Sequence, residues 1–153
     1  MLQWLKKTLG LAAAPDAGGR GEQLAAAWLQ RERGFTIVAR NWRRPRDRRD
    51  ELDLVCRDGD ALVFVEVKTR GVGALVPGVY AVDERKKRVL RRTAGAYLAG
   101  LRVKPRTFRF DVVEVSLPAV APAKEGVPAK GAAGEPEIRH FENIALFPKH
   151  FQP

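Results

Sequence analysis

Glu51-Leu-Asp-Leu-Val-Cys-Arg-Asp-Gly-Asp-Ala-Leu-Val-Phe-Val-Glu-Val-Lys-Thr-Arg70 is the stretch that decides the fold. Two segments rich in Val and Leu, residues 51–57 and 61–69, flank Asp58-Gly59, a strong signal for a two-residue turn, so the stretch predicts a β-hairpin. With that turn Arg57 opposes Asp60, and the antiparallel count continues to Asp53 opposite Phe64 and Glu51 opposite Glu66. Asp53, Glu66 and Lys68 then share one face. Asp53 lies diagonal to Glu66, at a Cβ separation of roughly 7 Å or less. The other face collects Leu52, Leu54, Val63, Val65 and Val67 as a coherent core set. A slip of one residue would move all three charged groups across the sheet, so turn and hydrophobic pattern agree on the register.

Two carboxylates and an ammonium on a rigid sheet form a metal-site pattern. Carboxylates hold Mg²⁺ or Mn²⁺ at short oxygen distances, and a lysine beside them orients or deprotonates a water for attack on a phosphodiester. The plainer reading is a half-exposed sheet whose solvent face carries an ion pair of little energetic weight. Two features oppose it. Glu51 facing Glu66 is unfavourable without a cation beside them, and Leu62 and Phe64 make that face too apolar for a simple wet surface.

Working outward, Leu24, Ala25, Trp28 and Leu29 recur at helical spacing and predict a helix over residues 21–33, stopped by Gly34. Residues 35–42 read as a strand. Residues 43–50, five of them arginine, read as an exposed loop because Pro45 removes a ladder donor and the charge density opposes burial. Residues 71–78 are glycine-rich and predict another loop. Asp83 caps a helix reaching about Ala99, with Val89, Leu90, Ala94, Tyr97 and Leu98 on its apolar side and Gly100 just past its end. Residues 108–116 form a further strand. The chain divides into a flexible N-terminal arm (1–19), a folded domain (20–117), a disordered Pro/Ala/Gly linker (118–136) and a C-terminal segment (137–153). Phe141, Ile144, Leu146 and Phe147 give that last segment apolar character, to dock on the domain or on another chain.

The 153 residues, 45% of them hydrophobic, fit one domain with a proper core. The formal charge of +10, from 28 Lys and Arg against 18 Asp and Glu, favours a polyanionic partner, and the weight of arginine favours nucleic acid over a membrane surface. Cys56 is the single cysteine, which rules out an intramolecular disulfide and points to the cytoplasm. His140 and His150 with one Cys do not support structural zinc. Residues 1–15 carry Lys6 and Lys7 within their apolar stretch, too short a run for a signal peptide or a membrane span.

The order of GEQLAAAWL, a strand ending in Asn41-Trp42-Arg43, Glu-Leu-Asp-Leu, LVFVEVKTR, AVDERKKRVLRRTAGAYL and RFDVV resembles the YraN-like proteins of bacteria, within the restriction-endonuclease-like superfamily. The resemblance spans about residues 20–115. It implies an α/β fold in which a central mixed sheet, in the order α-β-β-β-α-β, is flanked by helices. It also implies that Asp53, Glu66 and Lys68 are the acid and Glu-x-Lys elements of a nuclease site. Glu22 matches the helical acid that completes such sites, although a Glu in a first helical turn is stabilised there by the macrodipole alone. Lys86 corresponds to a lysine that either contacts the scissile phosphate or belongs to a solvated helix face. Asp50 departs from the family, which usually has Gly there, and adds a negative charge near the site.

These residues together imply Mg²⁺- or Mn²⁺-dependent hydrolysis of branched, flapped or single-stranded DNA. Asp53 and Glu66 hold the metal, aided by the Val67 carbonyl and by Glu22 through water, while Lys68 positions the water. Arg43, Arg44, Arg46, Arg48 and Arg49, with Lys86, contact nucleic acid, and Trp42 either stacks on a base or joins the core. The alternative is a nucleic-acid-binding or accessory protein in recombination, repair or uptake that keeps this core without turnover. Junction-cutting relatives in the superfamily act as symmetric pairs, which admits a homodimer.

Overall fold

The computed structural model describes residues 17–45, 47–71, 82–118 and 134–151. Most of the N-terminal arm, Arg46, most of the glycine-rich loop and most of the linker lie outside the described residues. The elements are α1 (Ala17–Arg33), β1 (Thr36–Arg44), β2 (Asp47–Asp58), β3 (Ala61–Gly71), α2 (Glu84–Gly100), β4 (Thr107–Leu117) and β5 (Glu137–Phe141). They build an α/β fold in which one five-stranded sheet runs in the order β1-β2-β3-β4-β5. Among the described strands only β3 and β4 pair in parallel, and α2 lies between them in the chain.

Each face of the sheet buries one helix. Ala25, Ala26 and Leu29 of α1 pack with Leu54, Cys56, Val63, Val65, Val113 and Val115. Leu90, Ala94 and Leu98 of α2 pack on the other face with Val55, Leu62, Phe64, Phe110 and Val112. Central β3 is therefore apolar at consecutive positions, as a strand covered on both sides requires. Helix α1 begins one turn earlier than the sequence predicts, running through Gly18 and Gly19. It lies so close to β3 that a Cβ at Gly21 would collide with the Thr69 hydroxyl. Gly34, at φ +69°, ends the helix and returns the Phe35 N–H to the Leu29 carbonyl at 3.0 Å. Asp83 caps α2 by accepting a hydrogen bond from the Lys86 N–H at 2.8 Å.

Two expectations are corrected. The hairpin loop is Gly59-Asp60, with Asp58 opposite Ala61 and Val55 opposite Phe64, because Gly59 adopts the positive φ at the first loop position. The register thus differs by two residues from the one counted from Asp58-Gly59. An even shift keeps the paired side chains of residues 54–58 and 61–65 on their faces, but Glu51 no longer faces Glu66 and instead pairs with Arg43 at 2.7 Å. Nor do residues 43–50 form a loop. β1 runs to Arg44 and β2 starts at Asp47, with pairing interrupted between Arg44–Asp47 and Arg43–Glu51. That irregularity turns Asp50 inward to 6% exposure, where Arg92 of α2 holds it, Nε to Oδ2 at 3.0 Å.

β5 pairs with β4, and the chain after it covers the α2-side core with Leu146, Phe147 and Phe151. A buried carboxylate clasps this segment. Asp111, fully buried, accepts hydrogen bonds from Arg109 Nε (3.0 Å), His140 Nε2 (2.9 Å) and the Asn143 N–H (2.9 Å). Burial acts to raise its pKa, but the hydrogen bonds from His140 and Arg109 outweigh burial and hold the carboxyl below its ordinary value of 3.8. A lowered folded pKa gives stability that is present above the unfolded pKa and lost as pH falls through the folded one. Asp111→Asn is expected to cost ~3 kcal/mol at neutral pH in urea unfolding. Its deficit against the parent should shrink below about pH 3.8, and a deficit unchanged in acid would show that the charge is not what matters.

Candidate active site

The site forms where β2 parts from β3. Their pairing runs from Asp58–Ala61 to Leu54–Val65, and beyond it Asp53 Oδ2 accepts the Val67 N–H at 2.8 Å. A side-chain oxygen thus occupies a donor that a continuing ladder would have given to a backbone carbonyl. On the other flank, Arg40 pairs with Leu54 and Trp42 with Leu52, which sets Asn41 across from Asp53. Asn41 has φ +48°, a left-handed conformation that Asn tolerates better than most residues. Leu54 packs on the α1 side, whereas Leu52 joins the α2-side cluster with Trp42. In a regular strand residues two apart share a face, so both chains turn over here. Leu52 therefore does not belong to the Leu54 face, as regular alternation predicts.

Glu66 stands at the centre of the site, 3% exposed. Its Oε1 accepts from Lys68 Nζ at 2.8 Å and lies 3.3 Å from Lys86 Nζ. Its Oε2 is buried without a hydrogen-bond partner among the described residues. Burial pushes the Asp53 carboxyl from 3.8 up to about 7, and the Glu66 charge adds to the rise. The Val67 N–H opposes that rise, while Glu22 and Lys86 act more weakly in opposite directions. Glu22 itself accepts from Asn41 Nδ2 at 2.7 Å. The structure thus gathers Glu22, Asp53, Glu66, Lys68 and Lys86 from α1, β2, β3 and α2.

The arginines behave differently from one another. Arg49 forks onto Asp47, Nε at 3.0 Å and Nη2 at 3.2 Å, and Arg43 pairs with Glu51. Arg44 lies 3.9 Å from Asp50, while Arg48 is exposed with no carboxylate partner among the described residues. Trp42 packs edge-on to Tyr97 at 5.1 Å and is half-buried against the α2-side core. Asp50, ion-paired to Arg92, brings a compensated charge.

Sequence reading missed Asn41 and Glu114. Asn at a strand position is a warning of left-handed backbone, and an acid inside the apolar run Val112 to Val115 warns of a buried charge. Glu114 is 5% exposed, the ladder partner of Lys68, and lies 3.9 Å from Arg70 Nε.

Among the described residues no group of three His, Cys, Asp or Glu side chains is arranged to hold a metal ion. The pair Asp53 and Glu66 nonetheless fits a hard divalent cation. Mg²⁺ commonly uses one or two carboxylates and keeps several waters, and the bare Glu66 Oε2 beside the strained Asp53 charge is the lone-pair surplus such an ion relieves.

The fold is α/β, a five-stranded mixed sheet flanked by two helices, consistent with a restriction-endonuclease-like core. The model of Uncharacterised protein family UPF0102 matches residues 21–115, which run from the second turn of α1 through most of β4. The chain belongs to this family, the YraN-like family that its sequence blocks resemble. A UPF0102 protein of Anaeromyxobacter dehalogenans is 46% identical over 124 residues, 81% of this chain and 79% of the relative. One from Mycolicibacterium vanbaalenii is 37% identical over 136 residues, 89% of this chain and 98% of the relative. The UPF0102 protein STH1475 of Symbiobacterium thermophilum is 50% identical over 99 residues, 64% of this chain and 80% of the relative.

The raised Asp53 pKa has a sign that stability measurements can read. Between 3.8 and about 7 the folded state keeps a proton that the unfolded chain releases, so this group's contribution to stability falls as pH rises through that window. Metal-free Asp53→Asn should therefore melt higher than the parent at pH 8, by ~5 °C, and match it near pH 4. An equal or lower melting temperature at pH 8 would remove the argument. Asn41→Ala should cost about 1–2 kcal/mol for its left-handed backbone, and Asn41→Gly clearly less. Equal losses in urea titrations would mean that backbone conformation is not the reason for Asn.

Proposed function

We propose that the protein is a metal-dependent nuclease that hydrolyses phosphodiester bonds in DNA. The observation that carries this reading is the buried Glu66 carboxylate, one oxygen held by two lysines and the other unpaired, beside Asp53 at the parting of β2 and β3. A structural ion pair needs neither the second lysine nor the second acid. Carboxylates and lysines facing one opening match a substrate that is anionic and reacts with water.

Asp53 and Glu66 would hold Mg²⁺ or Mn²⁺, with the Val67 carbonyl and Glu22 in support. When bound, the ion supplies Lewis acidity to the phosphate and lowers the pKa of coordinated water. Lys68 orients the attacking water through its ammonium donors, anchored by Glu66. Lys86, carried on the capped first turn of α2, meets the phosphate oxygens as negative charge builds on them. The water oxygen forms the new bond to phosphorus as it gives up a proton to solvent, while the bond to the leaving sugar oxygen breaks and that oxygen takes up a proton from solvent. Among the described residues no helix is long and apolar enough to cross a membrane. A buried free Cys56 suits the reducing cytoplasm, where DNA is found. A homodimer would bring two such sites to two strands.

A second reading, nucleic-acid binding without turnover, draws on one observation: both lysines already neutralise Glu66, and no third acid is arranged with Asp53 and Glu66 as a metal group among the described residues. Cleavage of flapped, branched and single-stranded DNA separates the two. With Mn²⁺ or Mg²⁺ the parent should cut, and Glu66→Gln and Lys68→Met should each lose on the order of 100-fold while staying folded by circular dichroism. Cleavage that persists in both variants would assign the activity elsewhere. Salt-sensitive binding with no metal-dependent cleavage on any substrate would favour the second reading.

A further inference from the structure

A concave pocket of about 490 Å³ lies on the outer edge of the sheet, lined by Arg40, Asn41, Trp42, Arg43, Arg44, Pro45 and Arg48. Four arginines line it, and among the described residues no Asp or Glu does. Its volume falls in the range of clefts that take small ligands, roughly 300–1,000 Å³. Parts of the wall are fixed in place. Trp42 is pinned edge-on against Tyr97, Arg43 is tied to Glu51, and Asp50 beside Arg44 is itself anchored by Arg92 of α2. Arg40 and Arg48 are exposed and have no carboxylate partner among the described residues. Arg40 is absent from the set of arginines that the sequence singled out, and Arg49 from the pocket.

We infer that this pocket is a phosphate subsite that holds a backbone phosphate of a nucleic-acid strand away from the reacting bond. Guanidinium forks match phosphate oxygens in pairs, and two forks without internal acids can close on one phosphate while the tethered pair shapes the cleft. Charge on an edge strand also discourages edge-to-edge pairing, but that role requires neither concavity nor fixed walls. The pocket is joined to the active site through one residue. Asn41 lines it and donates to Glu22 at 2.7 Å, so a strand seated here runs beside the carboxylates. The inference rests on the nucleic-acid reading of the protein and does not require that it cut.

The test measures binding of a fluorescein-labelled oligodeoxynucleotide by anisotropy in EDTA, across a salt series, with the full chain. Arg40→Ala/Arg48→Ala should weaken binding ~10-fold and reduce the slope of log affinity against log salt by about 1.4, the value for two lost single-strand phosphate contacts. The charge-matched control Arg102→Ala/Arg139→Ala removes two arginines that lie outside the pocket and should change affinity less than about twofold. Equal losses in the two double variants would show diffuse attraction and overturn the subsite, as would no loss in the first. Inorganic phosphate at matched ionic strength should displace the strand only weakly, and tight saturable displacement would reassign the pocket to a free phosphate. A strand bound as expected but never cleaved under Mn²⁺ would sink the nuclease reading and leave the subsite standing. Cleavage with an affinity indifferent to Arg40 and Arg48 would sink the subsite alone.

Discussion

The hydrogen bond from the Val67 N–H to the Asp53 carboxylate is the interaction on which the rest of the site depends. It lets β2 leave β3 without stranding a buried backbone donor, and it places an acid in the gap so opened. The cost is visible in the same group, whose carboxyl is pushed up to about 7 by burial and by Glu66. Strand separation, charge crowding and lysine recruitment are therefore one arrangement. Were β2 paired to β3 along its whole length, Asp53 would be one more residue on a flat sheet, and Glu66 would need no lysines.

Rigidity around that opening comes from several sides. Helix α1 sits against β3 with only a glycine between, α2 starts from a firm cap, and the Asp111 clasp fastens β5 and the following chain to β4. The site thus rests on strands and helix starts, where positions are held more firmly than on loops. The β1–β2 edge is braced separately by Asp50 and Arg92, at the far side of the same opening. Basic groups at that edge keep a defined spacing as a result, and a polyanion would meet them in a set arrangement.

Much of this was legible in the order of residues, for physical reasons that can be named. Period-two alternation and a Gly-containing turn showed the hairpin, and helical spacing with Gly34 and Asp83 showed both helices. Asp53, Glu66 and Lys68 still meet although the turn was misplaced by one residue: a register change of two keeps Glu66 and Lys68 on their face, and Asp53 joins them from the gap where β2 parts from β3. Alternation failed at Leu52, where the left-handed Asn41 and the parting at Asp53 turn both strands over. It failed again over residues 43–50, because an arginine-rich strand at a sheet edge keeps its charged heads in water while its backbone pairs. The inward turn of Asp50 depends on Arg92, 42 positions away, and no local pattern carries such a partner.

The contact between Gly21 and Thr69 has a consequence for how such a protein can change over generations. Every other amino acid at position 21 brings a Cβ into the space of the Thr69 hydroxyl. Either Thr69 turns its side chain away or the helix lifts from the sheet and carries Glu22, the next residue, with it. In the second case a point mutation there would disturb the acids without touching any of them, so inheritance is constrained at a residue with no chemistry of its own. Drift is correspondingly freer at Gly100, where an added Cβ meets nothing within 4 Å.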